Sequence, residues 1–272
     1  MTPVIKPNKI NTNKEKQRIG AYMLAIERRS QILATLEAEK RVLVPELAKK
    51  YGVTEETIRR DLEKLENEGL LKKTYGGAVK ANNLSAEMPY KMRAETNKAQ
   101  KLVIAEKILK LITPKENIIL DASSTSVHIA RRLKTMENLT IITNSVEILM
   151  ECSSAININT VSTGGVLRCS SLSLVGGGAI TVLNQLTADR AIISCKGLDF
   201  EKGVMESNLE EAEIKRTMAA NAQELILAID SSKFDRLSFA KTLDFLQVHT
   251  VVSDYIPPKW AKFFSETGIR YL

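Results

Sequence analysis

The sequence predicts an α/β protein in two parts, a winged helix-turn-helix over residues 20–80 and a Rossmann-like, mainly parallel α/β domain over residues 98–272. Three observations carry this. Glu46 to Glu66 reads as two amphipathic helices joined at Gly52, and Gly76-Gly77 then separates two short β-type runs. From Asn117 onward, apolar strand-like runs alternate with helical ones, the pattern of a parallel sheet covered on both faces. A chain of 272 residues is long enough to bury two cores.

Residues 1–19 are polar and basic, with Pro3, Pro7 and no apolar periodicity, so a disordered tail is expected. From Tyr22 to Glu39, Met23, Ile26, Ile32, Leu33 and Leu36 recur at helical spacing. Val42 and Val44 suit a short strand that pairs with the wing, and Pro45 suits the first turn of the next helix. Gly52 supplies a left-handed turn at little cost, Val53 plugs back between the helices and Thr54 caps the second one. In that helix Ile58, Leu62 and Leu65 form one apolar stripe. The opposite face carries Glu56, Arg60, Glu63 and Lys64, with Thr57 and Arg59 on its flanks.

A short helix that shows Thr and Arg while its back is buried suits the major groove, where Arg reaches guanine by two hydrogen bonds. Taken alone, the pattern also fits an ordinary helical hairpin with solvated arginines. Leu70, Leu71, Thr74, Gly76, Gly77 and Val79 favour the first reading, because they form the two strands of a wing that bears Lys72 and Lys73. The candidate DNA-binding residues are therefore Thr54, Glu56, Thr57, Arg59, Arg60, Lys64, Lys72 and Lys73, and the partner is double-stranded operator DNA. Charge agrees: residues 1–80 hold 17 Lys and Arg against 11 Asp and Glu, whereas the other 192 residues hold 22 against 21. The polyanion partner belongs at the N-terminal end.

Glu46-Leu-Ala, Gly52-Val-Thr, Thr57-Ile-Arg-Arg-Asp-Leu, Leu65-Glu, Gly69-Leu and Gly76-Gly-Ala together resemble the DNA-binding domain of the DeoR family of bacterial transcription regulators. Tyr75 departs from the His usual before that Gly-Gly pair.

Residues 81–97, with Asn82, Asn83, Ser85 and Pro89, read as a linker. Lys98 to Leu111 is an amphipathic helix with Leu102, Ala105, Ile108 and Leu109 inward. Strands are expected at Ile118–Leu120, Leu139–Thr143, Asn159–Ser162, Ala191–Ser194, Leu225–Ile229 and Thr250–Ser253, and helices at Val127–Leu133, Val146–Met150 and Glu210–Ala222.

In such a sheet a small ligand binds beyond the carboxyl ends of the strands. Asp121, Ser123, Ser124 and Thr125 follow the first strand, in a hydroxyl-rich turn entering a helix that suits either a phosphate or simple N-capping. Thr143 and Asn144 follow the second strand, and Gly164 and Gly165 the third, where the backbone can approach a ligand closely. Gly176-Gly-Gly178 reads as a flexible turn or a further cradle. Asn208 precedes a helix carrying Glu211 and Lys215, an i, i+4 pair that also fits an exposed ion pair, and Asp230 and Lys233 follow a later strand. Hydroxyls, two glycines and two lysines at one sheet edge suit a phosphorylated polyol.

Asp121-Ala-Ser-Ser-Thr, Thr143-Asn, Gly164-Gly, Gly197-Leu-Asp, Glu211-Ala-Glu-Ile-Lys215 and Asp230-Ser-Ser-Lys-Phe resemble the C-terminal sensor domain of the same family. The resemblance implies a sugar-phosphate isomerase and CoA-transferase type of fold and a phosphorylated sugar as effector. Asp121-Ala-Ser-Ser-Thr departs from the commoner Asp-x-Gly-Thr-Thr. With Ser194-Cys-Lys-Gly197 and Glu206-Ser-Asn208 it is similar to the branch tied to fucose-type deoxysugars.

The function expected is a repressor released from its operator by a phosphorylated sugar, working as a homo-oligomer, dimer or tetramer, to read a two-fold site. An activator of the same architecture is one alternative. Another is an isomerase with a fused DNA-binding domain, using Asp121, Glu211, Lys215 and Lys233 for acid–base chemistry. Cys152, Cys169 and Cys195 form no C-x-x-C pair and the histidines are only His128 and His249, so neither a metal, a cofactor nor a disulfide framework is expected. No run of about 18 apolar residues and no leader is visible, which predicts a cytoplasmic protein without a membrane partner.

Overall fold

The computed structural model describes residues 23–81 and 83–272 and divides at Ala81/Asn82 into two compact units. The expected tail, residues 1–19, and Tyr22 lie outside the described residues.

The first unit runs α1 (Ala25–Glu39), β1 (Arg41–Leu43), α2 (Val44–Tyr51), α3 (Glu55–Asn67), β2 (Leu71–Thr74) and β3 (Gly77–Lys80). Gly52 ends α2 in the left-handed region at φ 65, which lets α3 turn back within three residues. The three strands form an antiparallel sheet in the order β1-β3-β2, with a two-residue turn at Tyr75-Gly76. Val44 opens α2 instead of extending the strand, because Pro45 in the first turn sets the backbone for a helix there. Ile32, Leu36, Val42, Leu47, Ile58, Leu62, Leu65 and Leu71 are buried, so the predicted stripe faces inward as a set.

The second unit begins with α4 (Tyr90–Glu95), α5 (Lys98–Leu109), β4 (Asn117–Leu120), α6 (Ser124–Leu133), β5 (Leu139–Thr143), α7 (Val146–Cys152), β6 (Ile158–Ser162), β7 (Val166–Arg168), β8 (Ser173–Val175) and α8 (Gly177–Leu183). It continues with β9 (Ala188–Ile193), β10 (Gly197–Asp199), β11 (Gly203–Glu206), α9 (Leu209–Ala220), β12 (Ala222–Ala228), β13 (Ala240–Leu243), β14 (Thr250–Val252), α10 (Pro258–Thr267) and β15 (Arg270–Tyr271). Seven strands form one sheet in the order β15-β14-β12-β9-β4-β5-β6, and every pairing in it is parallel. The chain enters at β4, runs outward to β6, then returns to β9 on the other side of β4. That reversal makes the β4/β9 boundary the topological switch point, the place at the carboxyl ends where sheets of this kind bind ligands. One face of the sheet packs an aliphatic layer around Ile104, Ile108, Ile129 and Ile148, and the other an aromatic layer around Trp260 and Phe264.

Three expectations need correction here. The stretch assigned to a linker, residues 81–97, is largely part of the second unit: α4 buries Tyr90 and Met92, and Tyr90 N donates to Ser170 O at 2.9 Å. Its polar residues conceal two apolar anchors in the first turn of a short helix. Leu102, expected inward, is 36% exposed, because α5 buries Lys101, Ile104, Ala105 and Ile108 instead. Lys101 takes an inward place by donating to the carbonyls of Arg93 and Thr96. Gly176-Gly-Gly178 is no flexible turn, since Gly177 starts α8. The hairpin β7/β8, the small antiparallel sheet β10-β11-β13 and α10 were not foreseen.

Candidate functional site

The N-terminal unit gathers the candidate DNA-binding residues on α3 and β2. Thr54 caps α3, its hydroxyl accepting from Thr57 N at 3.2 Å and lying 2.9 Å from the Thr57 hydroxyl. Arg59, Arg60, Glu56 and Lys64 are exposed on α3, and Lys72 and Lys73 on the edge strand β2. Both arginines are already paired one turn back, Arg59 with Glu55 at 2.6 Å and Arg60 with Glu56 at 3.1 Å. Such exposed i, i+4 pairs are worth a few tenths of a kcal/mol, so a guanine or phosphate displaces them readily. Successive side chains leave opposite faces of a strand, so Lys72 and Lys73 do not address the same row of phosphates.

Behind these residues lies an ion pair that the sequence reading missed. Arg28 Nε of α1 donates to Asp61 Oδ2 at 2.6 Å and Arg29 reaches Asp61 Oδ1 at 3.4 Å, with Asp61 and Arg28 both buried. Asp61 follows Ile58 at i+3 on the inward stripe, which is the signal that could have found it.

In the second unit the carboxyl ends of β4 and β9 bring Asp121 beside Ser194. Asp121 Oδ2 accepts from Ser194 N at 2.9 Å and lies 3.0 Å from Lys215 Nζ of α9. Its Oδ1 accepts from Ser126 Oγ at 2.5 Å and from Ser123 N at 3.2 Å. Lys215 also donates to Ser194 O at 2.7 Å and to Glu206 at the end of β11. Burial alone would raise the Asp121 carboxyl, but the Lys215 charge and the bonds from Ser126, Ser194 and Ser123 hold it below the usual carboxylate range. Burial likewise opposes charge on Lys215, and Glu206, Asp121 and Glu211 more than reverse it, keeping the ammonium charged. Lys215 is therefore a buried structural cation with no spare donor aimed at a phosphate. Glu211 does not pair with it as an exposed partner; it accepts from Ser173 Oγ and takes Arg168 of β7 at 3.3 Å.

The other candidate residues divide by whether their polar atoms are engaged. Thr143 Oγ1 donates to Leu120 O at 2.7 Å and accepts from Ser145 N at 3.1 Å, so it stitches β4 to β5. Asn208 caps α9, its side-chain oxygen accepting from Glu210 N at 2.9 Å and Glu211 N at 3.2 Å. Ser123 caps α6 through Ser126 N at 3.0 Å. Asp230 accepts from Asn97 Nδ2 at 2.9 Å and from Ser232 N at 3.2 Å. Gly165, expected to admit a ligand, instead approaches its own chain: a Cβ there would lie 2.6 Å from Val175 O at a φ of 112. Gly164 has open space around it.

Capacity for a ligand remains on fewer groups. Ser124 and Thr125, buried in the first turn of α6, have no side-chain hydrogen bond among the described residues. Asn144 Oδ1 and Ser207 Oγ are buried without partners among them. Lys233 lies 3.7 Å from Asp230, a loose pair. Lys196, two residues past Ser194, is in no ion pair among the described residues. Burial first and Arg93 second push Lys196 down to about 7.

The sequence comparisons decide the family. Residues 96–255 match the DeoR C-terminal sensor domain model and residues 28–83 the DeoR-like helix-turn-helix domain model. The chain belongs to the DeoR family. It is 38% identical over 232 residues to an uncharacterised HTH-type transcriptional regulator, YulB, of Bacillus subtilis strain 168, covering 85% of this chain and 90% of that one. It is 34% identical to the L-fucose operon activator of Haemophilus influenzae, covering 88% and 96%, and 33% identical to a putative aga operon transcriptional repressor of Escherichia coli O157:H7, covering 90% and 93%. Among solved structures, ribose 5-phosphate isomerase A from Methanocaldococcus jannaschii aligns at a TM-score of 0.39 and 19% identity, over 51% of this chain and 55% of that one.

As a DeoR-family member the protein is a DNA-binding transcription regulator with a sensor domain. Arg93 and Arg168 were not named from sequence, and Ser194, Lys196, Glu206 and Ser207 entered only within runs that resemble the deoxysugar branch, with no site role, although Ser194 to Lys196 stand at the end of β9 as Asp121 stands at the end of β4. Inspecting every strand end alike finds all of these but Arg93, which lies in α4. No helix among the described residues is long and apolar enough to cross a membrane.

Proposed function

We propose that this DeoR-family protein is a repressor of a sugar-utilisation operon, released from its operator when a phosphorylated sugar fills the site at the β4/β9 switch point. The observation that carries this reading is a set of groups at the strand ends with bonding capacity to spare and suited to an anionic polyol: Lys196, the loosely paired Lys233, Ser124, Thr125, the Asn144 side-chain oxygen and Ser207. Phosphate takes the cations, and hydroxyls take the amide and the serines. A thermal-shift screen against sugar phosphates tests it, because a ligand at ~100 times its dissociation constant stabilises the protein by roughly 2.7 kcal/mol. A panel that leaves the melting curve unmoved removes the effector reading, and turnover of a bound sugar phosphate replaces the sensor by an isomerase.

Two predictions concern DNA. Arg60→Ala costs about 1–3 kcal/mol of operator binding, read by gel shift, since Arg60 stands on the outward face of α3. An unaltered shift takes Arg60 out of base recognition. Lys72→Ala weakens binding to all sequences alike and lowers the salt slope by roughly one counterion. A loss confined to the operator contradicts a phosphate contact. Reading a two-fold operator takes two copies, so the working form is at least a dimer.

The named activator among the relatives favours a second reading with the opposite sign, in which the same site promotes DNA binding. Transcription from the protein's own promoter with and without the effector separates the two.

A further inference from the structure

The segment that leads into the sensor from the DNA-binding unit is bonded to the strand ends at several points. Glu87 takes Arg168 at 2.9 Å, and Arg168 in turn reaches Glu211 of α9 at 3.3 Å. Asn97 Nδ2 donates to Asp230 Oδ1 at 2.9 Å and to Ser232 Oγ at 3.2 Å, beyond the end of β12. Lys101 donates back to the carbonyls of Arg93 and Thr96 and so fixes the turn between α4 and α5.

Arg93, between these anchors, has a vacancy in its bonding. Its Nε donates to Met88 O at 3.0 Å, which orients the guanidinium, yet one terminal nitrogen is buried with no hydrogen-bond partner among the described residues. A buried guanidinium nitrogen left unmatched costs free energy unless something answers it. Glu87 attracts it, but that carboxylate is already bound to Arg168. Lys196 feels Arg93 as a repulsion, and Lys101 feels both Lys233 and Arg93 the same way. The carboxylates at hand are engaged: Glu87 by Arg168, Asp230 by Ser232 and Asn97, Glu206 and Asp121 by Lys215. What remains is a cationic pair, Arg93 and Lys196, short of one anion.

We propose that Arg93 and Lys196 together hold the anionic group of the effector, so that the chain leading in from the DNA-binding unit is itself a wall of the effector site. This rests on the effector reading above and adds which residues take the phosphate and how occupancy is felt outside the sensor. Arg93 suits the task because its fork offers two parallel donors to phosphate oxygens, while Lys196 supplies a point charge. An anion there cancels the repulsion between the two cations and competes with Glu87 for them. The run from residue 87 to residue 97 is then held from the ligand as well as from Arg168 and Asp230. An effector that favours one arrangement of this segment biases whatever the segment is joined to, and the bias is reciprocal.

The test uses the full chain with inorganic phosphate as the probe, sulfate as a second anion and a set of pentose and hexose phosphates. Melting temperature is followed against ligand concentration, and amide hydrogen exchange is followed over residues 83–97. Wild type is expected to be stabilised by phosphate saturably, with slower exchange in that segment. Arg93→Gln and Lys196→Met each raise the half-saturating concentration ~10-fold or more, the size of one charged hydrogen bond removed, and abolish the slowing. Arg93→Lys recovers part of the affinity, which a purely packing role for Arg93 does not predict. Should Arg93→Gln not fold, Lys196→Met alone decides. If wild type responds and both variants respond at the wild-type concentration, this assignment is wrong while the sensor reading stands. If wild type answers to neither phosphate nor any sugar phosphate, the sensor reading itself is lost and this assignment goes with it.

Discussion

Lys215→Met is expected to lower the stability of the sensor unit by about 3–5 kcal/mol, because it leaves buried carboxylates without their cation. Asp121 and Glu206 are each close to fully buried, and Lys215 is the cation paired with both. Methionine matches the length of the lysine stem, so the loss comes from charge and not from a cavity. The chain has a single tryptophan, Trp260, fully buried in the aromatic layer of the same unit, and its fluorescence follows urea unfolding of that unit. Adding Glu206→Gln to Lys215→Met removes one orphaned charge and is expected to restore part of the loss. A midpoint unmoved by Lys215→Met contradicts the buried cluster and returns Lys215 to the list of free phosphate ligands.

Asp61→Ala has the second large effect, on the other unit. Arg28 and Arg29 lose the one carboxylate they share, and a buried guanidinium without a partner again costs about 3–5 kcal/mol. A unit of this size has little stability in reserve, so the variant is expected to lose operator binding although Asp61 is buried against α1 and not on the outward face of α3. Hydrogen exchange separates this from a direct contact. Protection of α3 collapses while the Trp260 transition stays in place. Normal protection of α3 with lost DNA binding contradicts the structural role and points to a contact with DNA.

The parts of the molecule that could be read from sequence are those written in local pattern. Ile58, Leu62 and Leu65 form a stripe, Gly52 and Pro45 punctuate helices, and Ile118–Leu120 is too apolar for anything but a buried strand. These preferences act over a few residues and the fold agrees with them. What stayed hidden depends on partners far away in the chain. Lys215 reads in the sequence as a phosphate ligand or as half of an exposed pair with Glu211, and only the folding of β4, β9 and β11 around it places Asp121, Ser194 and Glu206 at its ammonium. Asp61 looked neutral until α1 brought Arg28 against it. Arg93 and Lys196 carry no local pattern that assigns them a role; one sits in a polar stretch that reads as a connector and the other inside Ser194-Cys-Lys-Gly197, a run that marks a resemblance and not a charge at a site. The glycines misled in the opposite sense, since Gly165 is needed against Val175 O and not against a ligand.

The most direct test of the central claim is one titration. Fluorescence anisotropy follows the full chain on labelled DNA from its own promoter region at low salt, with and without the sugar phosphate that gives the largest thermal shift. The account predicts tight, salt-dependent binding that weakens by a fixed factor in the presence of the sugar phosphate, and the same factor lost from sugar-phosphate affinity when DNA is present. Binding to DNA that is identical with and without every sugar phosphate that shifts the melting curve contradicts it.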